Sequence, residues 1–321
     1  MIKSFKIRNF KSIRSLDLNC KRVNLFIGEP NTGKSNILET IGVLSHIYHG
    51  DLGNFVRFEN MSNLFFDQDF ENTINISFDI SHLDINFQNG TFHGSYSING
   101  QVQSGVFNYD YHGSGGKSSL EQFNKFKFYR FSMRRDFPDQ RSDYLYPPDG
   151  DNLSTIILTR KELRGVIQQI FSKFGYQLVI ELPKGDMKVQ KGGGDIVLSF
   201  PYFTISDTLQ RIIFYLIAIY TNKESVIAFE EPEAHAFPYY TKYLAERIAL
   251  DQNKNQYFIS THNPYLLKSV IEKTPKEEVS VFITYIENYE TKVKTLSEGE
   301  IEEILDSELD VLFNLERFLI Q

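Results

Sequence analysis

A single cysteine, Cys20, leaves nothing from which to build an internal disulfide framework. No apolar run approaches the ~18 residues that a membrane span requires, and the longest, Ile212 to Tyr220, reads as a buried helix. The opening Met1-Ile2-Lys3 leads into no apolar signal segment. Positive charge is in deficit: the net charge of −7 excludes bulk attraction to polyanions, so any nucleic-acid contact must come from a local patch. Internal repeats and sustained heptads are also missing, which excludes a solenoid or a long coiled coil. What remains, 41% hydrophobic and 23% charged over 321 residues, is the composition of a soluble globular protein with a large core. The cytoplasm of a prokaryote is the expected compartment, with no membrane partner.

Against these absences stands one dense motif. Gly28-Glu29-Pro30-Asn31-Thr32-Gly33-Lys34-Ser35 has the spacing of a phosphate-binding loop. The apolar run Val23 to Ile27 before it reads as a buried strand, and Ser35 to Ile47 after it as a helix. Loop amides and the helix N-terminus then form a cradle for a triphosphate. Lys34 reaches the outer phosphates, the Ser35 hydroxyl holds Mg²⁺, and Asn36 lies next along the same cradle.

Two further strand ends fit the same chemistry. Val226-Ile227-Ala228-Phe229 is a continuous apolar run, as in a strand buried on both faces, and it ends in Glu230 and Glu231. Ligands of parallel sheets bind at that carboxyl edge. Glu230 is the expected Mg²⁺ ligand, and Glu231 the group that polarises the attacking water. Phe258-Ile259-Ser260-Thr261-His262 repeats the pattern with a histidine, which can hydrogen-bond the γ-phosphate. A fourth segment, Ile205 to Arg211, opens a helix at Ser206 or Asp207. Its amides can hold an anion, such as the γ-phosphate on another subunit; taken alone, the segment reads better as a capped core helix.

Coarse patterning predicts strands and helices in alternation. A hairpin and a third strand occupy residues 1–27, carried by Ile2, Phe5, Ile7, Leu16, Leu18 and Val23, and a helix follows over 33–49. Strands are expected near 73–80, 91–97, 101–110 and 125–131, then one helix over 152–173. A hairpin over 177–182 and 187–199 should turn near Lys191-Gly192-Gly193-Gly194. Helix 206–220, strand 225–230, helix 239–250, strand 256–260, helix 264–272 and strand 279–286 complete an α/β pattern, with an acidic helical segment over 299–315. The turn at Pro147-Pro148 marks a boundary between an N-terminal lobe, 1–150, and a C-terminal lobe, 151–321, of one head.

In this order the motifs resemble the ABC-type "AAA family" ATPases of the SMC, RecF and OLD class. Phe5 to Ser12 looks like that family's first strand and turn, and Gly28 to Ser35 like its Walker A. Ser206 to Arg211 looks like its signature, Glu230 to His235 like its Walker B and D-loop, and Ser260 to Asn263 like its switch. The resemblance implies a P-loop fold with a mixed or parallel sheet core, an antiparallel β-rich lobe and a helical lobe. It implies ATP and Mg²⁺ as cofactors and a head-to-head homodimer, each signature facing the other subunit's Walker A. DNA repair or anti-phage defence, with a nuclease or toxin effector, is the implied setting.

Two positions depart from the family pattern. Glu230 stands where Asp is usual, and Thr208 where the signature has glycine. Thr208 motivates the alternative of a nucleotide-gated scaffold or toxin regulator with little turnover. The long gap between Lys34 and Ser206 argues against a transporter subunit, and a small-molecule kinase has no use for the signature or the histidine. The final residues, Val311 to Ile320, resemble the point where OLD proteins enter a TOPRIM nuclease domain, which implies either a stand-alone ATPase or a piece of a longer chain.

Weaker features read as structure. Gly115-Gly116-Lys117-Ser118 lacks the first glycine of a phosphate loop and is expected to be a flexible loop. Lys117, Lys125, Lys127, Arg130, Arg134, Arg135 and Arg141 are interleaved with aromatics and suit DNA or RNA, but a strand face backed by core aromatics explains them better. Asp149-Gly150-Asp151 and Asp67-Gln68-Asp69 are turns. Gln68 and Gln140 are the available Q-loop glutamines.

Overall fold

The structure is a computed structural model that describes residues 1–182, 185–192, 196–306, 312 and 314–319. The chain opens with β1 (Ser4–Phe10), β2 (Ile13–Asn19) and β3 (Val23–Gly28), followed by α1 (Lys34–His49) and the short α2 (Leu52–Phe55). Strands β4 (Ile74–Phe78), β5 (Ser81–Gln88), β6 (Thr91–Ile98), β7 (Gln101–Tyr109), β8 (Gly115–Lys117) and β9 (Phe126–Tyr129) come next. Helices α3 (Leu153–Thr159) and α4 (Lys161–Ser172) precede β10 (Tyr176–Glu181), β11 (Asp186–Gly192) and β12 (Val197–Pro201). The remainder alternates: α5 (Asp207–Thr221), β13 (Val226–Glu230), α6 (Pro238–Ala249), β14 (Gln256–Ser260), α7 (Pro264–Lys273), β15 (Val279–Glu287), β16 (Glu290–Thr295), α8 (Glu298–Asp306) and α9 (Leu315–Leu319).

Among the described residues these strands form three sheets. The central one runs β16-β15-β3-β14-β13-β9. It is parallel from β15 to β9, and only β16 joins antiparallel. β3, β13 and β14 therefore end on one edge, and each carries one of the three motifs there. The second sheet is wholly antiparallel, β2-β1-β4-β5-β6-β7-β8, and the third is the small β10-β11-β12.

Alternation along the central strands creates two cores. Val23, Leu25, Ile27, Ile227, Phe229, Tyr257 and Ile259 face one, packed under α3 to α7. Phe26, Phe128, Ala228, Phe258 and Phe282 face the other, against α1 and the antiparallel sheet. Phe258 joins the layers: its ring lies 5.8 Å from Phe5 on β1 and 6.3 Å from Phe26 on β3. Burying such a side chain contributes about 1.5–3 kcal/mol. α5 is buried over most of its length, as its apolar run from Ile212 to Tyr220 dictates, with Asp207, Thr208 and Arg211 only partly covered at its start.

Several expectations are corrected. The helix over 152–173 is two, because Arg160 is extended at φ −105 and ψ 97, and its guanidinium is drawn onto the carbonyls of Ser142 and Asp143. The hairpin of 177–199 is three strands, β10 pairing with β11 and β11 with β12; Gly193 and Gly194, where its turn is expected, lie outside the described residues. Gly115 to Lys117 is no free loop but an edge strand on β7. β5 and β16 were not expected, since Asp84, Asn86, Lys292 and Lys294 interrupt their apolar pattern. In the acidic segment α8 and α9 are seen, while 307–311, 313 and the C-terminal 320–321 lie outside the described residues, including much of the TOPRIM-like ending. Among the described residues no helix is long and apolar enough to cross a membrane.

Candidate functional site

The phosphate loop is shaped by its glycines and braced from the far end of the chain. Gly28 leaves β3 at φ 152 and Gly33 lies at φ 96, conformations that favour glycine. A Cβ on Gly28 would strike the Thr284 carbonyl and hydroxyl, and one on Gly33 the Thr291 side chain. Thr284 also shares a hydrogen bond of 2.6 Å with Thr32. Asn36 donates to Ser12 Oγ at 2.7 Å, and Ser12 bonds Thr291 Oγ1 at 2.7 Å. Glu29, Pro30 and Asn31 are exposed at the lip. The first turn of α1 has no side-chain cap and no acid, so its amides are available to an anion.

Lys34 is folded back in this state. Its Nζ donates to the carbonyls of Gly28 at 2.9 Å and Glu29 at 2.7 Å. Burial lowers its pKa to about 8, against the pull of Glu231 and Glu29. Near neutrality it is still a cation, held on carbonyls that a phosphate oxygen can replace.

At the end of β13 the chain bends sharply, with Glu231 at φ 43. Its N–H donates to the Ser260 carbonyl at 3.1 Å, tying it to β14. Glu231 Oε1 lies 3.3 Å from His262 Nε2. Burial and the charge of Lys34 lower the pKa of His262 against the pull of Glu231, so its imidazole is neutral at pH 7. Lys34, Glu231 and His262, brought from three strand ends, thus share one electrostatic neighbourhood.

Glu230 faces the other way. Burial opposes its ionisation, but Arg130, the Ser35 hydroxyl and Arg57 hold its carboxyl below the ordinary value. Ser35 and Glu230 are therefore together, as expected of paired metal donors. Among the described residues no cluster of three or more His, Cys, Asp or Glu side chains can hold a metal alone. Two oxygen donors at a loop built for phosphate fit Mg²⁺, whose shell is completed by phosphate oxygens and water.

The residues missed by sequence reasoning surround this pair. Glu39, wholly buried on α1, accepts Lys11 Nζ, Arg57 Nε at 2.7 Å and Arg130 Nη2 at 3.1 Å. A lone acid on the apolar stripe of α1 was the available signal. Arg130 follows β9 at the same edge, just as Glu230 ends β13. Glu233 is also buried, and its Oε1 accepts the Thr261 hydroxyl while, among the described residues, Oε2 has no hydrogen-bond partner. Burial pushes its carboxyl up to about 7.

Ser206 and Asp207 stand apart; among the described residues no hydrogen bond or ion pair joins them to Lys34 or its neighbours. Ser206 is the N-cap of α5, its hydroxyl accepting from Leu209 N, and Asp207 pairs with Arg211 at 3.3 Å. Thr208 donates to the His235 carbonyl at 2.7 Å, fastening the start of α5 to the turn that follows β13. A mostly apolar groove of about 810 Å³ lies beside them, lined in part by Phe200, Ile205, Phe237 and Tyr239.

The basic stretch is spent internally. Lys117 reaches the His46 and Gly50 carbonyls at the end of α1. Lys127 is buried against Asn124 and His49, and Lys125 lies over Phe126. Arg134 pairs with Asp149, Arg141 with Asp139, and Arg135 lies over Phe203. Gln68 and Gln140 bond within their own loops, to Ser62 and Pro138. Burial raises the Cys20 thiol to about 12, which leaves it unreactive.

Two family models match separate parts of the chain: an "AAA ATPase domain" over residues 1–145, and an "AAA domain, putative AbiEii toxin, Type IV TA system" over residues 177–268. No curated protein matches. Among solved structures, an SMC head bound to the C-winged helix domain of ScpA is similar at a TM-score of 0.55 and 15% identity, over 93% of this chain and 99% of that one. A Smc head domain with an extended coiled coil, bound to the C-terminal domain of ScpA derived from Pyrococcus furiosus, is similar at 0.55 and 12% identity, over 95% and 98%. At these identities the likeness is one of fold.

Proposed function

The chain is of the ABC-type P-loop ATPase class that includes the SMC, RecF and OLD proteins, and from that premise we propose that it is an ATP-hydrolysing switch. The observation that carries this reading is the convergence of Lys34, Glu231 and His262 on one sheet edge. Lys34 leaves its two carbonyls for phosphate oxygens, and the free amides of α1 take up further phosphate charge. Glu231 orients the attacking water and accepts its proton. Neutral His262 donates to the γ-phosphate, so it registers whether that group is present. Ser35 and Glu230 hold Mg²⁺, which neutralises phosphate charge when bound.

Dimerisation on ATP is part of the proposal. Phe237 and Tyr239, 68% and 53% exposed beside Ser206, offer apolar surface at the signature turn where a second head would sit. Ser206 and Asp207 would there face the other head's nucleotide. DNA repair or anti-phage defence is the proposed setting, with an effector or nuclease partner. The ScpA-bound SMC heads are precedent for a head of this fold carrying a protein partner. The alternative, a nucleotide-gated scaffold or toxin regulator, draws on Thr208, whose hydroxyl fastens a turn that glycine would leave free.

Calorimetry and phosphate release together test the proposal. Lys34→Ala should weaken ATP binding at least about tenfold, the worth of a charged hydrogen bond. Glu231→Gln should bind ATP, release little phosphate and accumulate dimers. Undiminished binding by Lys34→Ala would sink the reading. Wild-type protein that binds ATP without turnover, with or without DNA, would establish the scaffold instead.

A further inference from the structure

Both oxygens of Glu230 are already taken. Arg130 Nε lies 2.7 Å from Oε2, and Arg57 Nη2 lies 3.2 Å from Oε1. The same two guanidiniums reach across to Glu39, and Lys11 joins them there. Three cations and two carboxylates make a closed cluster with one excess positive charge. A divalent ion on Glu230 must take an oxygen that a guanidinium now holds, and would triple that excess unless phosphate charge arrived with it. Glu39 cannot withdraw: its side chain is 0% exposed, and an unpaired carboxylate there is costly. Glu230 sits at the rim, its side chain 13% exposed, next to Ser35. One carboxylate is thus a permanent anchor and the other an exchangeable one.

We propose that Arg130 holds the divalent ion's place on Glu230, anchored by Glu39, and gives it up when metal and nucleotide arrive. Resting on the nucleotide reading above, this makes metal entry and release of Arg130 a single event. Without metal the guanidinium keeps the half-buried Glu230 carboxylate paired and in place. When the metal binds, the Arg130 Nη2 bond to Glu39 persists, and the freed Nε–H turns toward the phosphates. Removing Arg130 leaves Glu39 with Lys11 and Arg57, and Glu230 with Arg57, so neither carboxylate is stranded.

Mn²⁺ binding, read by electron paramagnetic resonance on protein saturated with a non-hydrolysable ATP analogue, is the test. Arg130→Gln should bind Mn²⁺ at least about fivefold tighter than wild type, since it lacks the charged competitor. Arg130→Lys, which keeps the charge but cannot bridge both carboxylates, should fall between them. Equal or weaker Mn²⁺ binding by Arg130→Gln would overturn the proposal and make Arg130 a fixed support. If Arg130→Gln does not fold, Arg130→Lys decides on the same criterion. Analogue binding measured in EDTA separates the two readings: loss of its dependence on Lys34 would sink the nucleotide site itself, whatever Mn²⁺ does.

Discussion

Glu230 and Glu231 are neighbours in the chain and opposites in setting. Glu230 is enclosed by Arg57, Arg130 and Ser35, with only 13% of its side chain exposed. Glu231, turned outward by its φ of 43, is 44% exposed and touches the neutral His262. One bend at the end of β13 divides a buried, charge-locked side from an open, reactive one. The two acids can therefore do different work, one in holding charge and the other in moving a proton. Residue identity alone, two glutamates in a row, does not separate them; the cations behind one and the imidazole before the other do.

That contrast can be broken from either side. On the open side, Glu231→Gln should lower phosphate release by about 10²–10⁴-fold, the usual worth of a positioned general base. ATP affinity, measured by calorimetry, should stay near that of wild type. On the enclosed side, Glu39→Gln should cost about 3 kcal/mol in urea denaturation, because it strips the shared anchor from three cations. A loss below ~0.5 kcal/mol would show that the cluster holds nothing together.

Glu233 sharpens the contrast through pH. Its carboxyl is pushed up to about 7 by burial, so folding favours its protonated form. That stabilisation is full below the ordinary carboxylate range and is lost as pH rises through about 7. Glu233→Gln should therefore raise the melting temperature relative to wild type at pH 8, by an amount worth up to a few kcal/mol, and leave it nearly unchanged at pH 4. Equal effects at both pH values would refute the assignment. The smallest effect is expected at Thr208, where Thr208→Val removes one hydrogen bond to the His235 carbonyl and should cost about 1 kcal/mol in thermal denaturation. Thr208→Ser should restore it.

The central sheet and the phosphate loop were legible because their signals are local. Val23 to Ile27 and Val226 to Phe229 are unbroken apolar runs, and the loop's spacing is contiguous. The lysine, second glutamate and histidine could be assigned to one edge because parallel strands end together. The arginine cluster was hidden because its members come from five unconnected segments, and Arg57 and Arg130 look like ordinary surface charge in sequence. The basic stretch was read as structure, but its individual partners could not be named: some, such as the carbonyls of His46 and Gly50, are backbone groups that no composition reveals. β16 escaped because its lysines mask a strand whose Thr291 is fully buried.

Thr284 and Thr291 carry a last consequence, for the order in which the molecule can be finished. The bond from Thr32 to Thr284 spans 252 residues of chain. While the protein is being synthesised, the segment from Gly28 to Ser35 emerges first and waits, without its bracing hydroxyls, until Thr284 and Thr291 have followed. A nascent chain lacking the β15–β16 hairpin has no completed receptacle for ATP, so nucleotide cannot guide its early collapse. Ligand binding then reports that these two distant segments have met.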